Sequence, residues 1–175
     1  MSTAAEFSRL YAPDGLPPGG ATVTLEANAE ERRALAKRFD LVRLDLLAGE
    51  VSIERAGEDL LHVSGRLRAR LAQRCVVTLD PVEATVEAEF DRLFSRAAPL
   101  EAEEEIEIDP EAELPEPLPE GGLDLGEILA EELSLALDPY PRSPDADAKL
   151  AELGIAGDDA AEANPFAALA SLRKH

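Results

Sequence analysis

Residues 60–94 read LLHVSGRLRARLAQRCVVTLDPVEATVEAEFDRLF, and their pattern decides the fold class. In the first half Leu61, Val63, Gly65, Leu67, Ala69 and Leu71 alternate with His62, Ser64, Arg66, Arg68 and Arg70. In the second half Val82, Ala84, Val86, Ala88 and Phe90 alternate with Glu83, Thr85, Glu87, Glu89 and Asp91. Side chains on a strand change face at every residue, so the pattern predicts two half-buried β-strands. The only cysteine, Cys75, lies between them.

The chain upstream continues in the same manner. Phe7 to Tyr11 reads as a short strand, followed by a loop rich in Pro and Gly from Pro13 to Gly20. Ala21 to Ala27 alternates and is β-branched, which predicts a strand. Asn28 with Glu31 three residues on forms a capping-box pattern and predicts a short helix over Glu30–Arg38. Leu41 to Leu47 and Val51 to Arg55 read as two strands joined by a tight turn at Ala48-Gly49-Glu50. Several strands with short connections imply an antiparallel meander.

Downstream the composition changes. EAEEEIEIDPEAELPEPLPEGG, 101–122, is acidic and rich in proline, and predicts a solvated arm in which Ile106 and Ile108 add at most a short edge strand. Asp124 then caps a helix predicted to Asp138, with Glu127 in capping-box position. Leu125, Ile128, Leu129, Leu133, Ala136 and Leu137 form its apolar stripe, and Pro139 and Pro141 end it. Lys149 to Leu153 reads as a further helical turn. Asn164-Pro165 opens a last short helix, with Phe166, Leu169 and Leu172 on one side. This ending is expected to dock on the sheet, and Asn164, Pro165 and Phe166 are candidate partner-binding residues. The fold expected is α+β: an antiparallel sheet, open or barrel-like, covered by a few helices and carrying an acidic arm. The expected organisation is a mainly β part over 1–97, the arm over 98–122 and a helical part over 123–175, all within one domain.

Charge is distributed unevenly. The net charge is −20. Residues 1–97 hold 16 acids and 13 bases, a balance of −3, whereas 98–162 hold 21 acids and 2 bases, a balance of −19. A chain of this sign repels bare nucleic acid at long range, so any RNA contact must come from a local basic patch. Arg66, Arg68 and Arg70, with Arg74 beyond them, form such a row. It is read in two ways: as a grip on phosphate, or as a structural ladder paired with Glu83, Glu87 and Glu89 on the neighbouring strand. The acidic half suits a basic protein partner, or solubility alone.

No enzyme chemistry is visible. His62 and His175 are the only histidines. A Cys–His pair would need one of them beside Cys75, and a zinc site wants four ligands. The phosphate-binding glycine loops are absent, and no carboxylate is singled out as a buried acid. No cofactor, metal, membrane span or small-molecule substrate is expected. A single cysteine and an N-terminus without a basic-then-apolar pattern suit a cytoplasmic protein.

Four pieces in order, GRLRARLAQRCVVTLDPVEATVEAEF, the acidic arm, LDLGEILAEELSLALDPYP and NPFAALASLRKH, resemble the bacterial YceD family over roughly residues 40–175. Its members are described as large ribosomal RNA subunit accumulation proteins. The resemblance implies a non-enzymatic ribosome-assembly factor. It would bind precursor large-subunit RNA or an assembling basic ribosomal protein. The alternative is an acidic protein-binding adaptor or chaperone without RNA contact, and an enzyme with an unrecognised site stands third. Many members carry a further cysteine where this chain has Ala72, and a cysteine cluster where it has PYPRSPDADAKL, 139–150. That arrangement resembles a metal site in those members, reduced here to Cys75.

Overall fold

The computed structural model describes residues 5–96 and 114–155, which cluster into two compact units. The first holds residues 5–73, 83–96 and 114–139, and the second 74–82 and 140–155. The chain runs through β1 (Leu10–Tyr11), β2 (Ala21–Glu26), α1 (Ala29–Arg38), β3 (Arg43–Arg55), β4 (Leu60–Arg74) and β5 (Pro81–Ser95). It continues through β6 (Glu116–Pro117), β7 (Leu123–Asp124), α2 (Leu125–Ala136) and α3 (Ala146–Glu152).

The first unit is built on a five-stranded sheet of order β2-β3-β4-β5-β6. β2, β3 and β4 pair as antiparallel neighbours, and β6 joins β5 in parallel at Phe94 and Ser95. The expected α+β class with an antiparallel sheet is borne out. The sheet is open, with β2 and β6 at its two ends.

The apolar row of the opening stretch is the core. Leu61, Val63, Leu67, Ala69 and Leu71 of β4 are buried with Leu47, Val51 and Ile53 of β3. Leu35 of α1 and Leu125, Leu129 and Leu133 of α2 join the same cluster. Each fully buried Leu or Ile stabilises by about 1.5–3 kcal/mol, so this face carries most of the cohesion of the unit.

Both helix starts are chemically marked. Asn28 Oδ1 accepts from Glu30 N and Glu31 N, and Asn28 N donates to Glu31 Oε2 at 2.7 Å, so the capping box forms as read. Asp124 caps α2 by accepting from Gly126 N and Glu127 N. It also accepts from Arg9 N at 2.7 Å and Ser8 Oγ at 2.6 Å, which ties the N-terminal segment to the helix start. Burial opposes ionisation of Asp124, but these donors outweigh it and its pKa falls below the usual carboxylate range. Glu127 does not close a second box; it pairs with Arg38 instead.

One sequence expectation is corrected. No turn occurs at Ala48-Gly49-Glu50, and β3 runs unbroken through it, with a bulge between Leu44 and Leu46. Gly49 is there for packing. A Cβ at this position would lie 2.5 Å from Leu129 Cδ2 and 2.9 Å from the backbone oxygen of Arg66. The glycine therefore lets α2 sit against the sheet.

In the second unit Cys75 N donates to Asp80 O, and Leu79 N to Cys75 O, closing a tight loop. Leu79 pays for the loop with a φ of 66°. α3 covers the expected turn at Lys149 and begins three residues earlier. Ile106, Ile108, Asn164, Pro165 and Phe166 lie outside the described residues.

Candidate functional site

The exposed face of the sheet gathers the charged rows of four strands. Register places Thr22, Thr24 and Glu26 of β2 beside Ser52, Glu50 and Ala48 of β3. It places Glu50, Ser52 and Glu54 beside Arg66, Ser64 and His62 of β4. β5 closes the face with Glu83, Thr85, Glu87, Glu89 and Asp91. The structure thus brings Arg66, Arg68 and Arg70 together on one surface, as their alternation requires. Arg74 is the last residue of β4 and belongs to the second unit.

The arginines on this face are answered by carboxylates on both sides. Arg68 reaches Glu87 of β5 at 3.6 Å, the pairing expected of a ladder. Arg66 turns the other way, to Glu50 of β3 at 3.3 Å. Glu83 bonds Arg43, which also holds Asp45 at 2.9 Å. Hydrogen bonds from Arg43 to Glu83 and then Asp45 raise the guanidinium pKa further. Arg70 lines a depression with Asp45, Glu83 and Thr85 and forms no ion pair among the described residues.

The sum is acidic. Four arginines, Arg43, Arg66, Arg68 and Arg70, share the face with eight carboxylates: Glu26, Asp45, Glu50, Glu54, Glu83, Glu87, Glu89 and Asp91. A shallow trough crosses it between Thr24, Glu50, Arg66, Arg68, Glu87 and Glu89. His62 Nε2 bonds Asp91 Oδ2 at 2.6 Å, but no hydroxyl bonds its ring among the described residues. Among the described residues the pair therefore has no nucleophile of the kind a hydrolytic triad needs.

On the other side of the sheet the charges serve packing. Arg92 is clamped by Glu116 at 2.6 Å and Glu131 at 2.7 Å, with Glu132 at 3.8 Å. Hydrogen bonding to Glu116 is the main cause that raises the Arg92 pKa, and burial is the main cause that raises that of Glu132. Arg38 bridges Glu6 and Glu127 in the same way.

Cys75, in the second unit, is buried. Its Sγ accepts from the backbone N–H groups of Val77 at 3.4 Å, Thr78 at 3.3 Å and Ser143 at 3.2 Å. Burial pushes the thiol up, but the donors of Thr78 and Ser143 outweigh it and hold the pKa at about 6. Thr78 Oγ1 and Ser143 Oγ meet at 3.2 Å beside it. These residues do not make a zinc ligand set. A zinc site wants four thiolate, imidazole or carboxylate donors, and here one sulfur is surrounded by hydroxyls and N–H donors. Among the described residues no group of three such side chains is placed to hold a metal ion.

Sequence reasoning missed Glu50, which it placed in a turn. It also read β5 only as a charge partner for β4. Nothing in a strand's own residues tells which neighbour lies on its far side.

No helix among the described residues is long and apolar enough to cross a membrane. No curated protein and no solved structure matches the chain. The family model described as large ribosomal RNA subunit accumulation protein YceD matches residues 63–173, which span most of β4, β5, α2 and most of the C-terminal part. With well over half of its length matched, the chain belongs to the YceD family.

Proposed function

We propose that this chain supports accumulation of large-subunit ribosomal RNA without catalysis, by holding a basic ribosomal protein against the acidic face of its sheet. The family description supplies the ribosomal role. The observation that carries the choice of partner is the composition of the face: eight carboxylates against four arginines, three of which are already paired. A phosphate backbone approaching it meets a net negative field, so binding gains little from counterion release. A basic protein meets the opposite field and associates faster for it.

One observation favours RNA as a second reading. Arg66 and Arg68 are 71 % and 62 % exposed, their pairs are long, and Arg70 has none among the described residues. Arg66 and Arg68 would then exchange carboxylate for phosphate, and Arg70 would bind phosphate beside them. An exposed ion pair contributes only about 0–1 kcal/mol, so the exchange would cost little.

The two readings give opposite signs in one experiment. The full chain is titrated with RNA-free large-subunit proteins and, separately, with protein-free large-subunit RNA, over a salt series. The comparison is with Arg66→Gln/Arg68→Gln/Arg70→Gln. Removing three positive charges is expected to tighten capture of basic proteins and leave weak RNA binding unchanged. Loss of RNA affinity with a shallower salt slope, and no gain for protein, would overturn the basic-partner reading in favour of RNA.

A further inference from the structure

The outer edge of β5 is open along most of its length. β6 pairs with it only at Phe94 and Ser95, and from Glu83 to Leu93 no strand lies beyond it among the described residues. Two bonds fix which backbone groups face outward. Arg96 N donates to Asp59 O, on the β4 side, while Ser95 O accepts from Leu118 N, on the outer side. Backbone groups alternate sides along a strand, so Ala84, Val86, Ala88 and Phe90 address β4. Glu83, Thr85, Glu87, Glu89 and Asp91 direct their N–H and C=O groups outward. Those five also carry the charged row of the exposed face, four carboxylates and one threonine. On the opposite face Ala84, Val86 and Ala88 are only partly buried against the core.

Such an edge is a template for another strand unless something protects it. Between Glu83 and Leu93 there is no proline or lysine. The acidic row protects it selectively. A second copy pairing through this edge would set like charges against one another, which is destabilising. The chain's own linker toward β6 reads EAEEEIEIDPEAE over 101–113, which has the same sign. A basic strand is the complementary case.

Resting on the basic-partner reading above, we infer that the edge of β5 from Glu83 to Leu93 receives an extended basic segment of the partner protein as an added strand. Alternate Lys or Arg residues of that segment lie over Glu83, Glu87 and Glu89, and the residues between them cover Ala84, Val86 and Ala88.

The test uses the full, isotope-labelled chain and the capped peptide Lys-Val-Lys-Val-Lys-Val-Lys, with its Glu-for-Lys counterpart as control. Amide exchange of Glu83, Thr85, Glu87, Glu89 and Asp91 is expected to slow by at least about tenfold with the basic peptide only. Thr85→Pro removes one outward donor while leaving every charge in place, and proline is tolerated on an edge at such a position. It is expected to weaken the peptide about tenfold, roughly the effect of one or two lost hydrogen bonds. Peptide binding without slowed exchange at these amides would overturn the edge inference. It would leave the acidic face, and the proposed function, standing. Equal binding of the acidic peptide would overturn it too, as would a dimer of the chain that Thr85→Pro abolishes. Failure to capture large-subunit proteins in the titration above would instead remove the reading on which the inference rests.

Discussion

Gly49 and Cys75 are each explained by what surrounds a single atom. At Gly49 the missing Cβ is the space that Leu129 and the Arg66 carbonyl fill. Gly49→Ala forces a methyl into it, and the backbone oxygen cannot give way cheaply. The expected loss is about 1–3 kcal/mol, read as a lower urea midpoint with unchanged m-value. Unchanged stability would mean that α2 can shift without cost. At Cys75 burial raises the thiol pKa, but hydrogen bonds from Thr78 and Ser143 outweigh it and hold it at about 6, well below its unfolded value near 9.0. A group whose folded pKa is depressed contributes stability that is complete above the unfolded pKa and is lost as pH falls through the folded one. Thermal stability is therefore expected to rise from pH 6 to pH 9 in the wild type, and Cys75→Ala is expected to flatten that rise. Thiolate absorbance that appears only near pH 9 would contradict the assignment.

At the scale of elements, the clamp on Arg92 couples β5 to β6 and α2. Arg92→Ala leaves Glu132 half-buried beside Glu131 and Glu116 with no cation, in a position where burial already opposes its charge. The expected loss is about 1–2 kcal/mol, below that of a fully buried pair because Glu116 and Glu131 remain 44 % exposed. Adding Glu132→Gln should restore part of the loss, and a double variant no better than the single one would contradict this account. The elements were legible where local chemistry determines them. The alternation from Leu61 to Leu71, the Asn28–Glu31 box and the Asp124 cap each need only near neighbours. Gly49 misled because a glycine that admits a helix from the far side of a core looks, in sequence, like one that makes a turn. The capping box expected from Asp124 and Glu127 did not close for the same kind of reason: Arg38, 89 residues away from Glu127, takes its carboxylate. The candidate face was legible row by row, since Arg66, Arg68 and Arg70 must share a side. Its net sign was not, because that depends on strand order, which adds Glu26, Glu50 and Glu54 from one flank of β4 and the β5 acids from the other.

The whole molecule carries −20, and its first 97 residues only −3. Near neutrality there conceals a separation. Arg9, Arg38, Arg92 and Arg96 neutralise acids away from the exposed face, at Glu31, Glu127, Glu116 and Asp14, which leaves the exposed face itself short of cations. Together with the strongly acidic sequence after residue 97, this gives a negative field that would attract the basic partner proposed above, falling off over a Debye length of about 8 Å at physiological salt. Glu26, Glu54 and Glu89 contribute to that field while making no ion pair among the described residues, so they can be neutralised without stranding a partner. Glu26→Gln/Glu54→Gln/Glu89→Gln is therefore expected to keep the wild-type melting temperature and to slow association with basic ribosomal proteins several-fold at low salt. The difference should shrink toward nothing as salt is raised, because steering acts on the association rate and is screened. Stopped-flow mixing over a salt series measures it. A slower rate that persists at high salt would mean that these three side chains touch the partner directly. An unchanged rate at low salt would mean that the field of the sheet face plays no part in recruitment.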